Sequence, residues 1–182
     1  MRRGLRTLVP LLGASTLLIL PAPAPAKPVK NLWATVNRCD TPVSPNTVGV
    51  RASMPGTKYR SRLYMRFRIQ FWSATRQSFV DTDSSSRWLR VGDGRAAATQ
   101  SGFNFRFDDP PAGEQFVLRG VVQYRYTALR RGKGGKGKRR WRIVKQYERL
   151  TRSGQRNVQS ADPAGASFVM CIVRRGTGEG RS

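Results

Sequence analysis

The chain has 182 residues, 34 of them Lys or Arg against 10 Asp or Glu, for a formal charge of +24, and it contains no His. Without imidazole, Ser-His-Asp and Cys-His nucleophile systems are excluded, together with every zinc site that needs a histidine ligand. The cationic excess directs attention to anionic partners and is silent on fold. Of the basic residues 27 are Arg and 7 are Lys, a ratio that GC-rich codon usage also produces.

In chain order, Met1-Arg2-Arg3-Gly4-Leu5-Arg6 is a basic leader. A mostly apolar stretch, residues 7–20, follows it, and then Pro21-Ala22-Pro23-Ala24-Pro25-Ala26. Basic, apolar and small-residue segments in that order predict a secretory signal peptide over residues 1–26. Cutting after Ala26 avoids a Pro beyond the scissile bond and places the mature N-terminus at Lys27. The apolar stretch is short of the roughly 20 residues that span a bilayer and contains Pro10 and Gly13, which argues against an anchor. No Cys adjoins it, as a lipoprotein would require, and no later segment is apolar enough to be a transmembrane helix. The remaining residues 27–182 are a usual size for one domain, and loss of the three leader arginines lowers its charge to +21.

Period two then runs through most of the chain. Weaker strand signals cover residues 32–38 and 47–53. Residues 63–72 place Leu63, Met65, Phe67, Ile69 and Phe71 on one face and Tyr64, Arg66, Arg68 and Gln70 on the other. Further strands are expected at 88–91, at 103–107 with Phe103, Phe105 and Phe107 alternating, and at 116–126. In the last of these Phe116, Leu118, Gly120, Val122, Tyr124 and Tyr126 oppose Arg119, Gln123 and Arg125. Strands at 141–150 and 168–174 complete a set of eight. Met54-Pro55-Gly56, Gly92-Asp93-Gly94, Asp108-Asp109-Pro110-Pro111-Ala112-Gly113 and Asp162-Pro163-Ala164-Gly165 supply the turns. No window shows an apolar stripe at helical spacing. The expectation is an all-β, antiparallel two-sheet sandwich in a single domain, with a closed barrel as the alternative.

Cys39 and Cys171 are the two cysteines. In an oxidising compartment such a pair reads as one disulfide, closing a loop of 132 residues; two inert thiols are the competing reading.

Carboxylate chemistry is weak. Asp81-Thr82-Asp83-Ser84-Ser85-Ser86 has the opening spacing of a calcium loop, but Gly92 stands where the closing Glu belongs, so a solvated loop is expected. Asp108-Asp109-Pro110-Pro111 reads as a turn rather than a glycosidase pair. No Ser is followed three residues later by Lys, so that dyad motif is missing as well. The chain is therefore read as a non-enzyme with no cofactor and no metal.

Residues 130–140 read RRGKGGKGKRR, seven positive charges and four glycines, between two expected strands. They form the tip of a long hairpin, either a solvated end or an anion-binding finger. With the next strand the tip gathers Arg130, Arg131, Lys133, Lys136, Lys138, Arg139, Arg140 and Arg142 as candidate anion-binding residues. Trp141 among them can stack on a base or sit at a lipid headgroup boundary, but core-facing is its expected placement.

One set of residues carries a family likeness. Trp33-x5-Cys39-Asp40-Thr41, residues 48–56 (VGVRASMPG), Met65-Arg66-Phe67-Arg68-x-Gln70, residues 118–122 (LRGVV) and Pro163-Ala164-Gly165 before Cys171 resemble a group of uncharacterised secreted proteins of high-GC actinobacteria. The resemblance covers most of the mature chain but not the tip. It implies an immunoglobulin-like sandwich and export, and no activity.

The functional expectation is a secreted, extracellular or wall-associated, non-enzymatic binding or structural module of the cell envelope. Its partners would be an anionic cell-surface polymer or lipid headgroups, met through the basic loop. The alternative is an extracellular nucleic-acid-binding protein, which would need Tyr64, Trp72 or Trp141 on the same exposed face as the arginines.

Overall fold

The computed structural model describes residues 29–132 and 137–175. The expected leader, its cleavage point at Lys27, and Lys133 and Lys136 of the basic tip lie outside the described residues. Nine strands follow in order: β1 (Trp33–Thr41), β2 (Ser44–Pro55), β3 (Ser61–Ser73), β4 (Ser78–Ser85), β5 (Leu89–Asp93), β6 (Ala98–Arg106), β7 (Gln115–Arg130), β8 (Arg140–Leu150) and β9 (Cys171–Arg174). They form two antiparallel sheets, so the chain is a β-sandwich. One sheet has the order β1-β2-β6, and the other is built on β4-β3-β7-β8 with β5 added beside β3 and β9 beside β7.

The second sheet has a simple logic. β3 and β7 pair from Ser61↔Ala128 to Phe71↔Leu118, and each is long enough to hold two short partners end to end on its other edge. β5 takes Arg62–Met65 of β3 and β4 takes Arg68–Ser73, while β9 takes Gln115–Leu118 of β7 and β8 takes Val121–Arg130.

Alternation decides what lies between the sheets. Leu63, Met65, Phe67 and Ile69 of β3 meet Leu118, Val122, Tyr124 and Tyr126 of β7, and Val48, Val50, Ala52 and Met54 of β2 close over them, all buried. Phe71 and Phe103 share the inward parity but are 39 % and 36 % exposed, Phe71 near the end of β3 and Phe103 on the edge strand β6. The two deepest phenols satisfy their hydroxyls on backbone: Tyr124 donates to the Trp33 carbonyl at 2.6 Å and Tyr126 to the Pro55 carbonyl at 3.2 Å. Gly56 turns the chain out of β2 where a Cβ would stand 1.8 Å from the Ala96 carbonyl oxygen, so backbone approach alone requires glycine there.

Cys39 of β1 and Cys171 of β9 are disulfide-bonded with Cα atoms 5.3 Å apart, tying the first sheet to the second. Between β8 and β9, residues 152–170 pass along the free edge of β1. Arg152 donates its amide to the Ala34 carbonyl at 2.9 Å, Val36 and Phe168 exchange amide bonds at 3.0 and 2.9 Å, and the Asp162 amide reaches the Asn37 carbonyl at 2.8 Å. The strap thereby satisfies groups that an edge strand would leave open.

Two expectations are amended. Residues 81–86, read as a loop, belong largely to β4, whose alternating Asp, Thr and Ser suit a charged outer edge more than a core. The last strand starts at Cys171 rather than at residue 168, since Phe168 is engaged with β1 instead.

Candidate anion-binding face

The alternation that fills the core sends the other half of β3 and β7 to the outside of the second sheet. Cross-strand neighbours there are Arg62 with Thr127, Tyr64 with Arg125, Arg66 with Gln123, Arg68 with Val121, and Gln70 with Arg119. β5 adds Arg90 opposite Tyr64, and β8 adds Gln146 and Glu148 opposite Arg125 and Gln123. Trp141 pairs with Leu129 and so joins this outer face. Its expected core-facing placement is therefore corrected: a bulge in the β7–β8 pairing, between Tyr126 and Thr127, shifts the parity of β8 near its start.

Three guanidinium groups stand over aromatic rings of this face. Arg62 stands over Trp141 at 4.0 Å, Arg125 over Trp88 at 3.8 Å and Arg119 over Phe79 at 4.0 Å, and Phe79 packs edge-on against Trp72 at 5.3 Å. Such a stack is worth about 0.5–2 kcal/mol and costs the guanidinium little hydration, while its N–H edges stay available for an acceptor. Arg66 is held by the Ser86 carbonyl at 3.2 Å and the Ser85 hydroxyl at 3.1 Å, and Arg119 donates to the Gln70 side-chain oxygen at 2.8 Å. The arginines are thus fixed by packing and neutral acceptors.

Carboxylates are few on this face. Arg68 takes Asp81 at 3.5 Å and Glu148 at 3.1 Å, and Arg90 takes Asp93 at 2.8 Å. Among the described residues no carboxylate oxygen comes within 4 Å of Arg62, Arg66, Arg119 or Arg125. Desolvation pushes the Arg119 guanidinium below its ordinary value, with the charge of Asp81 working the other way, and the Nε of Arg125 is buried without an acceptor. In the middle of the face an open cleft of about 390 Å³ is lined by Arg66, Trp88, Gln123, Arg125, Gln146 and Glu148.

The basic tip adjoins this face. β7 runs to Arg130 and β8 starts at Arg140, and these two arginines pair directly across the hairpin, a like-charge contact that only a solvated or anion-bound end tolerates well. Arg142 lies opposite Ala128, Arg130 approaches the ring of Tyr59 at 5.6 Å, and Arg131, Lys138 and Arg139 are exposed beside the strand ends. Lys133 and Lys136 lie outside the described residues. Sequence reasoning singled out the tip and passed over Arg62, Trp88, Arg90 and Arg119. Part of the signal was present in the alternation of Tyr64, Arg66 and Arg68 and in Arg119 opposite the core side of residues 116–126, both read only as wet faces.

Asp81 is engaged by Arg68 and by Gln70 at 3.0 Å, Asp109 accepts from the Asn46 amide, and among the described residues no three His, Cys, Asp or Glu side chains gather as a metal would require. Compared with known families, curated proteins and solved structures, the chain matches no family model, no curated protein and no solved structure.

Proposed function

We propose that this chain is a secreted, non-enzymatic binding module of the cell envelope that holds an anionic surface polymer on the outer face of its second sheet, with the basic hairpin tip extending the same field. One observation carries the reading: Arg62, Arg66, Arg119 and Arg125 share a flat sheet face, fixed by aromatic rings and neutral acceptors and lacking a carboxylate partner. Arginines held this way lose little conformational entropy on binding and can engage oxyanions through paired N–H groups. Export is supported by the basic-apolar-small order of residues 1–26 and by the disulfide, which suits an oxidising compartment. Among the described residues no helix is long and apolar enough to cross a membrane.

Retention of the folded protein on purified cell wall, anionic vesicles and DNA at two salt concentrations tests this. Wall retention at low salt is expected, with a marked loss on raising salt. A further loss is expected in Arg66→Gln/Arg119→Gln/Arg125→Gln, measured at a temperature where this variant, which gives up two guanidinium–ring stacks, is still fully folded. Equal retention of parent and triple variant would move the site off the sheet.

A second reading, an extracellular nucleic-acid-binding protein, is favoured by one fact: Tyr64, Trp72 and Trp141 do share the face of the arginines. Against it, Arg62 stands over the Trp141 ring and Trp72 meets Phe79 edge-on, so each tryptophan has part of its ring surface engaged within the protein. DNA retention that exceeds wall retention at matched salt would choose this second reading.

A further inference from the structure

At the β5 end of the outer face, beside the hairpin tip, the start of β3 and the turn after β5 enclose a cleft of about 380 Å³. Arg60, Arg62, Arg90 and Arg95 line it together with Asp93 and Trp141. Four guanidinium groups therefore converge against a single carboxylate.

Two of the four are set in orientation. Arg62 stands over Trp141 at 4.0 Å, and Arg90 is fixed by Asp93 at 2.8 Å. The turn that carries Arg95 is locked beneath them: Gly94 donates its amide to the Ser61 carbonyl at 3.0 Å and accepts from the Thr57 amide at 2.6 Å. A Cβ on Gly94 would stand 1.9 Å from the Ser61 hydroxyl, so the close approach that brings this turn against β3 depends on glycine. The field of the cleft registers on its own acid. Asp93 is held below the ordinary carboxylate range first by the hydrogen bond from Arg90; desolvation opposes this, and the charges of Arg90, Arg62 and Arg60 each add a lesser lowering.

We propose that this cleft is a subsite for a phosphate ester, in which Arg62 and Arg90 present two fixed N–H forks and Arg60 and Arg95 supply neutralising charge. A planar carboxylate offers its oxygens to one fork. A phosphoryl group presents oxygens in several directions and meets forks that arrive from different strands. The subsite deepens the reading of the outer face as a polyanion-binding surface and rests on it for its biological setting. Its ligand chemistry stands on the cleft alone. The phosphate can belong to a polyol-phosphate chain or to a lipid headgroup, which share this chemistry.

The test is calorimetric titration of the folded, disulfide-bonded protein with pyrophosphate, and with acetate as control. Saturable pyrophosphate binding is expected, at least about tenfold tighter than acetate, because only the former can span two guanidinium forks. Arg90→Gln/Arg95→Gln should weaken it by about tenfold or more at an unchanged melting temperature, and Arg62→Lys should weaken it too, since lysine keeps the charge but not the planar fork. Replacing residues 132–138 should leave it unaltered. Pyrophosphate binding no tighter than acetate, or binding indifferent to the double variant, overturns the subsite. Parallel titrations with poly(glycerol phosphate) and with phosphatidylglycerol vesicles separate the two sources: dependence on Arg90 and Arg95 in one identifies it, and dependence in neither overturns the proposal. Retention on a sulfated polymer reports the broader surface separately. If that retention fails while pyrophosphate still binds through Arg90 and Arg95, the broader reading falls and the subsite stands.

Discussion

The inner and outer faces of β3 are made from alternate residues of one 13-residue strand, and they obey different rules. Inward, Leu63, Met65, Phe67 and Ile69 have no exposure and no polar atom to satisfy, so their contribution is set by volume. Outward, Arg62, Tyr64, Arg66 and Arg68 are half-buried under each other, and their order comes from rings, hydroxyls and carbonyls. Fold and binding are separated by a half-turn about the strand axis rather than by distance along the chain. Substitutions on the two sides should therefore fail in different assays.

The largest contrast is expected between adjacent residues. Phe67→Ala removes a fully buried ring and should destabilise the protein by about 3–5 kcal/mol, through lost transfer free energy and a cavity that the sandwich cannot refill. Arg66→Ala, one position along, should change stability by less than about 1 kcal/mol while reducing polyanion retention. Denaturant titration of both variants reads the difference directly, and a Phe67→Ala loss smaller than that of Arg66→Ala would mean the faces have been assigned in reverse.

Next in size is the crosslink. Cys39→Ser releases a 132-residue loop to the unfolded chain, and a loss of about 2–5 kcal/mol is expected by denaturant titration. Both cysteines sit at the end of the sandwich opposite the β7–β8 tip, with Cys171 beside Leu118 in register, so the outer arginine cluster should keep its pyrophosphate affinity in this variant under conditions where it remains folded.

How far the sequence disclosed this arrangement depends on what each residue's neighbours had to supply. The core strands were legible because burial imposes period two, which residues 63–71 carry without interruption and residues 116–126 carry despite Val117 and Val121 on the other parity. Cys39 and Cys171 were legible as the two cysteines of an expected secreted chain. β4 was not, because the apolar residues of Ser78–Ser85 are the adjacent pair Phe79 and Val80 and the rest are polar, so the strand shows no period two. The strap at 152–170 was hidden for a related reason: it meets β1 through main-chain bonds and through isolated polar contacts such as Thr35 with Ser167 and Thr41 with Asp162, which leave no periodic pattern behind. The side of Trp141 turned on a single bulge, and one residue of register reverses a strand. The arginine face was half visible as a wet side, but the gathering of Arg60, Arg62, Arg90 and Arg95 needs β5 folded back on β3.

A smaller effect tests the inner face through its two phenols. Burial, followed by the neighbouring phenols Tyr147 and Tyr59, pushes the Tyr126 hydroxyl up to about 12 from an ordinary 10.0. Burial pushes Tyr124 further in the same direction. Both groups donate hydrogen bonds to backbone carbonyls, which a phenolate cannot do. A raised value means that the folded state favours the protonated form, so this stabilisation is complete below the unfolded-state value near pH 10 and is lost as pH rises toward and through about 12. The unfolding free energy should fall over that window, and Tyr126→Phe should make the fall shallower. An unchanged slope in Tyr126→Phe would show that the hydroxyl is not protected by burial.

The smallest effect on stability, and the sharpest on function, belongs to the hairpin tip. β-pairing ends at Arg130↔Arg140, so replacing residues 132–138 by a short Gly-Ser turn leaves the β7–β8 ladder and the core cluster of the described residues in place. Loop-closure free energy changes by well under about 1 kcal/mol for such a shortening, and the melting temperature should stay nearly constant. The replacement removes Lys133, Lys136 and Lys138, and near an anionic surface each such charge contributes about 1 kcal/mol. Retention on wall polymer or anionic vesicles should therefore weaken at low salt. Because these charges act through solvent, with a screening length of roughly 10 Å at 0.1 M salt, the difference should vanish as salt is raised. The arginines of the sheet face differ here, since stacking fixes them and they can bind at contact distance. Loss of Arg66, Arg119 and Arg125 should remain visible at salt concentrations that erase the loss of the tip. If the shortened protein matches its parent at low salt, the tip adds no affinity and the sheet face alone carries the binding. If instead the tip variant loses affinity at every salt concentration, the tip makes direct contacts with the ligand, and the division between a fixed face and a diffuse extension is wrong.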